Sequence, residues 1–143
     1  MDREEPELER RRAATAATLR KYEHQPFSWR KATTCLHMAR LQMKNMGHSV
    51  PRMPRIRSAL KARRELEARG FANVSDLMRD LLPPIAPAQM RLGDIAAVPG
   101  SEEWLDALFI NIAPRKFAGW REDQPVMVVL DLPLSDVTAA WRL

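Results

Sequence analysis

The chain changes its hydrophobic period partway along, and that change restricts its fold more than any other feature. Up to about residue 82 the apolar side chains recur at helical spacing. From about residue 94 they gather instead in short β-branched runs separated by breakers. Residues 8–23 are rich in Ala, Arg, Glu and Leu with no Gly or Pro, which predicts a first helix anchored by Leu8, Leu19 and Tyr22. Pro26 ends it, and PFSWRK reads as a short apolar-aromatic connector. Thr33 or Thr34 can cap a second helix, CLHMARLQMKNM, which stops at Gly47 and carries Leu36, Ala39, Met43 and Met46 on one face. A third helix is expected over 56–69, closed by Gly70. Asn73 or Ser75 caps a fourth, VSDLMRDLL, which Pro83 and Pro84 stop.

The runs DIAAV, LDALFINIA and VMVVLDL read as strands, with Pro99, Gly100, Pro114, Pro125 and Pro133 between them. Their connections are too short for helical crossovers, so the strands pair antiparallel. Glu102 and Glu103 read as a capping pair for a short turn before Trp104, and SDVTAAWRL as a closing helical turn with Trp141 packed back on the body. The expected fold class is α+β, N-terminal helices followed by a small antiparallel sheet. At 143 residues it reads as one domain: an N-terminal helix (1–25), a helical part (26–84) and a strand part (85–143).

Composition narrows the chemistry. One cysteine excludes an internal disulfide and a Cys-rich metal site built by this chain alone, and no metal or other cofactor is expected. No apolar run reaches the roughly 18–20 residues of a membrane helix, and MDREEPELERRR offers no apolar secretory signal. The three histidines, His24, His37 and His48, have no ligand spacing and read as solvent-facing or capping residues. No glycine-rich phosphate loop or nucleophile elbow is present.

The net charge of +5 divides unevenly. Residues 1–69 hold 17 basic and 8 acidic side chains (+9), and residues 70–143 hold 6 and 10 (−4). On a helix starting at Ile56, Arg57, Lys61 and Arg64 would share one face. No aromatic residue interleaves with the arginines of 52–69, which weakens a stacking role on nucleic acid. Docking to an acidic protein partner is the favoured reading of this face, and nucleic acid the disfavoured one. Eight methionines read as core filling or as adaptable interface.

Cys35 is the residue with the most chemical promise. It lies in the first turn of the second helix, where free N–H groups and the helix dipole lower a thiol pKa. Phe27 and Trp29 are placed upstream to form a wall beside it.

The stretch PFSWRKATTCLHMARLQMKNMGH resembles the opening of NlpC-type papain-like domains of bacteriophage tail proteins, and most closely an uncharacterised phage branch of that fold. Members show Pro-Phe-x-Trp-Gly, then Asp-Cys at the head of the next helix. Here Pro26, Phe27, Trp29 and Cys35 stand in that order. RLGDIAAV, with Gly93 and Asp94, resembles the Gly-Asp strand that follows the helices. LDALFINIA stands at the next strand, and AAWRL is similar to the family's aromatic-basic ending. The resemblance runs from about residue 8 to 143.

The resemblance implies a papain-like fold, a place in a phage or prophage tail tip, and a nucleophile at Cys35. It also exposes departures. Arg30 replaces the Gly after the tryptophan, Thr34 replaces the Asp before the cysteine, and the catalytic histidine position falls on or near Ala107. No histidine follows His48. A thiol without base or acid loses about 10²–10⁴-fold for each missing proton transfer. The expectation is therefore a vestigial site at Cys35, in a structural virion protein made in the host cytoplasm. Its partners would be hub, distal tail and tape-measure proteins. A tail-associated cysteine peptidase that opens peptidoglycan is the alternative, and a basic nucleic-acid-binding adaptor a third reading.

Overall fold

The structure is a computed structural model and describes residues 4–143. Four helices come first: α1 (Glu4–Tyr22), α2 (Cys35–Asn45), α3 (Ala59–Ala68) and α4 (Val74–Leu81). Six strands follow: β1 (Pro84–Ile85), β2 (Ile95–Glu102), β3 (Leu105–Ala113), β4 (Lys116–Gly119), β5 (Val128–Asp131) and β6 (Ala139–Trp141). They form one antiparallel sheet in the order β1-β6-β2-β3-β4-β5. The chain is thus α+β, with the helices ahead of the sheet. Among the described residues no helix is long and apolar enough to cross a membrane.

Side-chain caps set the helix starts. Thr34 accepts from the N–H of His37, Ser58 from that of Lys61, and Asn73 from that of Asp76. Ser58 places the start of α3 three residues later than expected. Ile56 becomes a buried residue of the connector, and Arg57 lies outside the helix. Helix α1 is anchored differently from its apolar pattern: Leu8 is 41% exposed, while Arg11, Ala14, Thr15, Thr18 and Tyr22 are buried.

Three strand expectations need correction. β2 runs through Pro99 and Gly100, and a register shift between Val98 and Glu102 absorbs the missing N–H. Glu102 and Glu103 therefore sit at the β2–β3 hairpin, where Trp104 Nε1 donates to the Glu102 carboxylate. After a short 3₁₀ turn (Leu134–Asp136), the closing segment is the strand β6, inserted between β1 and β2. Ala139 and Ala140 fit there because their small side chains pair opposite Ala97 and Ala96. β1 and β4 had no strand pattern of their own.

The core lies mainly between the helices and one face of the sheet. Met38, Met43, Val74 and Met78 meet Ile95, Ala97, Leu108, Ile110 and Trp141 there. Five of the eight methionines (Met38, Met43, Met46, Met78, Met127) are buried, so core packing accounts for most of them. Ala96, Phe109, Phe117 and Val137 form a smaller cluster that includes Ala107. They alternate with the first set along the strands and so lie on the opposite face.

Polar groups lock the helices onto the sheet. Gln42 is fully buried; its Nε2 donates to Thr15 Oγ1 (3.0 Å) and to the Gly93 carbonyl (3.1 Å), and its Oε1 accepts from Thr18 (2.7 Å). Gly93 must be glycine twice over. Its φ is +92°, and a Cβ would stand 2.9 Å from Thr15 Oγ1 and 3.0 Å from Gln42 Nε2. Gly47 shares the conformation (φ +91°) but has open space around it. Gly47→Ala should cost about 1 kcal/mol from backbone strain alone. Gly93→Ala should cost about 1–3 kcal/mol more, from overpacking. Equal urea midpoint shifts for the two variants would contradict this account.

Candidate functional site

Cys35 opens α2, the helix that lies against β3. Thr34, not Thr33, is its cap. Thr33 closes the preceding turn instead, pairing with Ser28 and donating from Oγ1 to the Pro26 carbonyl at 2.6 Å. The upstream aromatics pack on one another and on Trp120 and His37. Phe27 meets Trp29 edge-on with centroids 5.8 Å apart, Phe27 meets Trp120 at 6.0 Å, and Trp29 meets the His37 ring at 6.4 Å. Trp120 Nε1 donates to the Gln25 carbonyl at 2.8 Å, which clamps this connector to the sheet.

The thiol does not have the reactivity its position suggests. Cys35 is 5% exposed, and burial pushes its thiol up to about 11. The Leu108 N–H and the N–H groups of the helix start oppose that shift without cancelling it, and the Asp106 carboxylate adds to it. At a fully desolvated helix start, the lost hydration of a thiolate outweighs the dipole. Cavities of about 90 and 470 Å³ are present, and Cys35 lines neither.

Among the described residues no base serves the thiol. Ala107 packs in the smaller cluster on the far face of the sheet. Strand alternation instead turns Asp106 and Leu108 toward the helices, so these flank the position a catalytic histidine would need. Leu108 is core, and Asp106 Oδ2 accepts the N–H of Ser75 at 3.0 Å, serving the start of α4. The His37 ring is tied to the cap of its own helix: its Nδ1 stands 2.7 Å from Thr34 Oγ1. Burial, then Arg57, Lys21 and Arg40, lower its pKa to about 4, so the ring is neutral near pH 7. With the thiol raised and the imidazole lowered, both shifts oppose proton transfer from Cys35 to His37.

Asp94, the matched residue of the Gly-Asp pair, builds structure rather than chemistry. It is fully buried. Its Oδ2 accepts the Arg91 N–H at 2.8 Å and closes the turn before β2. Its Oδ1 takes Arg11 Nη1 at 3.1 Å and the Leu143 N–H at 3.0 Å, and Arg142 Nη1 lies 3.3 Å from Oδ2.

The expected three-cation face also comes apart. Lys61 and Arg64 lie on α3, and Lys61 approaches Glu65 at 3.8 Å. Arg57, outside the helix, reaches the other way and donates from Nη1 to the Arg30 carbonyl at 2.6 Å. The sequence pattern gave no sign of this contact, which joins positions 27 residues apart.

Native protein should react slowly with iodoacetamide at neutral pH, and the rate should keep rising toward about pH 11. Because the folded thiol pKa lies above its unfolded value, its contribution to stability is intact below about pH 9 and fades as pH rises toward 11. Cys35→Ala should flatten part of that alkaline loss in urea midpoints; Tyr22, raised by burial, accounts for another part. His37 has the opposite sign: its folded pKa is depressed, so stability is lost as pH falls from about 6.5 to about 4. His37→Gln should reduce the midpoint loss across that window, and an unchanged acid limb would refute the assignment.

A family described as "Domain of unknown function (DUF6950)" matches residues 6–143, and the chain belongs to it. No curated protein matches the chain.

Proposed function

We propose that this member of the DUF6950 family is an inactive, papain-like (NlpC-type) domain that serves as a structural component of a phage or prophage tail tip. The observation that carries the inactive reading is the state of Cys35. The thiol stands at the head of α2 against β3, yet it is desolvated, raised to about 11 and served by no base. Helices followed by an antiparallel sheet, with a cysteine where the two layers meet, support the resemblance from which the tail-tip role comes. Where an active relative would hold a catalytic pair, this chain holds packing, a helix cap and a turn. Its role is then to present surfaces to neighbouring tail proteins.

The test is genetic. In a phage or prophage carrying this chain, deletion should leave tails incomplete and particles non-infectious, and the protein should be found in purified virions. Cys35→Ala should restore infectivity as well as the unmodified gene does. Full assembly after deletion, or a chain absent from virions, would refute the structural role. Loss of infectivity with Cys35→Ala in a protein that still folds would restore the peptidase reading.

A further inference from the structure

From His24 to Arg64 the chain runs for 41 residues with ten Lys and Arg and no Asp or Glu. Two of the ten find partners downstream, Lys61 on Glu65 and Arg63 on Glu67. The other eight (Arg30, Lys31, Arg40, Lys44, Arg52, Arg55, Arg57 and Arg64) make no ion pair among the described residues. The charge surplus is therefore uncompensated at the surface.

One part of this region has a defined shape. Residues 28–33 form a tight turn: Ser28 and Thr33 pair, and the Ala32 N–H donates to the Trp29 carbonyl at 3.2 Å. That bond puts Arg30 and Lys31 at the two corners, both exposed. Phe27, at the base of the turn, leaves 40% of its surface in water although Trp29 and Trp120 hold its ring edge-on. Arg57 comes from the connector before α3 and docks on the Arg30 carbonyl, which adds a third guanidinium or ammonium group to the tip. The sequence already sets Phe27 and Trp29 beside Arg30 and Lys31; the fold adds Arg57, from 27 residues further along.

We propose that this turn, with Arg57, is a binding surface for single-stranded nucleic acid: a base stacks on Phe27 while Arg30, Lys31 and Arg57 hold the flanking phosphates. The pairing of ring and cations selects the ligand. An acidic peptide would meet the cations but leave the Phe27 ring in water. A duplex would offer phosphates but keep its base faces stacked and out of reach. A single strand presents both, a π face and a phosphate, in each nucleotide. The proposal goes beyond the tail-tip reading and does not depend on the state of Cys35.

The test uses the full chain and a fluorescein-labelled oligothymidylate of about fifteen residues, read by anisotropy between about 50 and about 200 mM salt. With three or four phosphates held, the slope of log K against log salt should be about −2 to −3. Phe27→Ala should weaken binding about tenfold or more with the slope unchanged, because stacking involves no counterion. Arg57→Ala should reduce the slope by about 0.7. Phe27 also packs on two tryptophans, so the exposed double variant Arg30→Glu with Lys31→Glu is a second probe that spares the core, and it should abolish binding. Lys116→Ala, at the start of β4 and paired with Asp131, should change nothing. The proposal fails if the duplex of the same length binds equally well, or if polyglutamate at equal charge displaces the strand as well as unlabelled oligothymidylate. It also fails if the double charge reversal leaves affinity intact.

Discussion

A buried carboxylate at the first turn into the sheet holds the two layers of this protein in register. Asp94 has no access to water, and an ionised carboxylate there is tolerable only if protein donors replace its hydration. It receives three hydrogen bonds, from the Arg91 N–H, the Leu143 N–H and the Arg11 guanidinium, and Arg142 Nη1 lies 3.3 Å away as a second cation. These groups come from three places: the turn before β2, the residues just after β6, and the middle of α1. Arg11 then spends its remaining donors on the carbonyls of Leu92 and Leu143 and on Glu7. Removing either partner of such a pair strands the other in a dry interior, typically at about 3–5 kcal/mol. The position of α1 follows from this polar network more than from apolar burial, which is why its face holds Arg11, Thr15 and Thr18 rather than leucines.

A neighbouring network makes the same connection one layer further in. Gln42 joins α2 to Thr15 and Thr18 of α1 and to the Gly93 carbonyl of the turn that Asp94 closes. With α2 held at this point, its first residue is pressed against β3, and the Cys35 thiol is dried out as a consequence. A thiol at a helix start thus becomes a core side chain, and the strand facing it presents Leu108, also part of the core.

The helical half was legible in the sequence to within a few residues, because caps and stops act locally. Thr34, Asn73, Gly47 and Gly70 do their work with neighbours three or four positions away, so their types announce their places. β3 was legible for the same reason, being a long uninterrupted apolar run. The misses were of another kind. β4 has only four residues, and its Phe117 is buried because β3 and β5 flank it. β6 looked like a helical turn because its alanines suit either state, and its neighbours in the sheet lie more than 40 residues away. Arg57 fitted a helical stripe until Ser58 took the cap position.

At the site, sequence reading located Cys35 at a helix start, the aromatic residues upstream of it and the lack of a downstream histidine, all matters of residue type and order. It could not decide that the thiol is sealed, that the strand side facing it carries Asp106 and Leu108, or that Arg57 joins the turn beyond Phe27. The physical reason is that desolvation and long-range contacts belong to the packed chain and not to any segment of it. By itself the sequence determined which segments become helices, where most of them begin and end, and that an uncompensated positive stretch precedes a sheet. The tertiary structure alone decided that its one cysteine is buried and that Arg57 joins the turn of Arg30 and Lys31. Burial depends on which layer covers a residue, and that is set by Asp94 and Gln42 reaching across the fold.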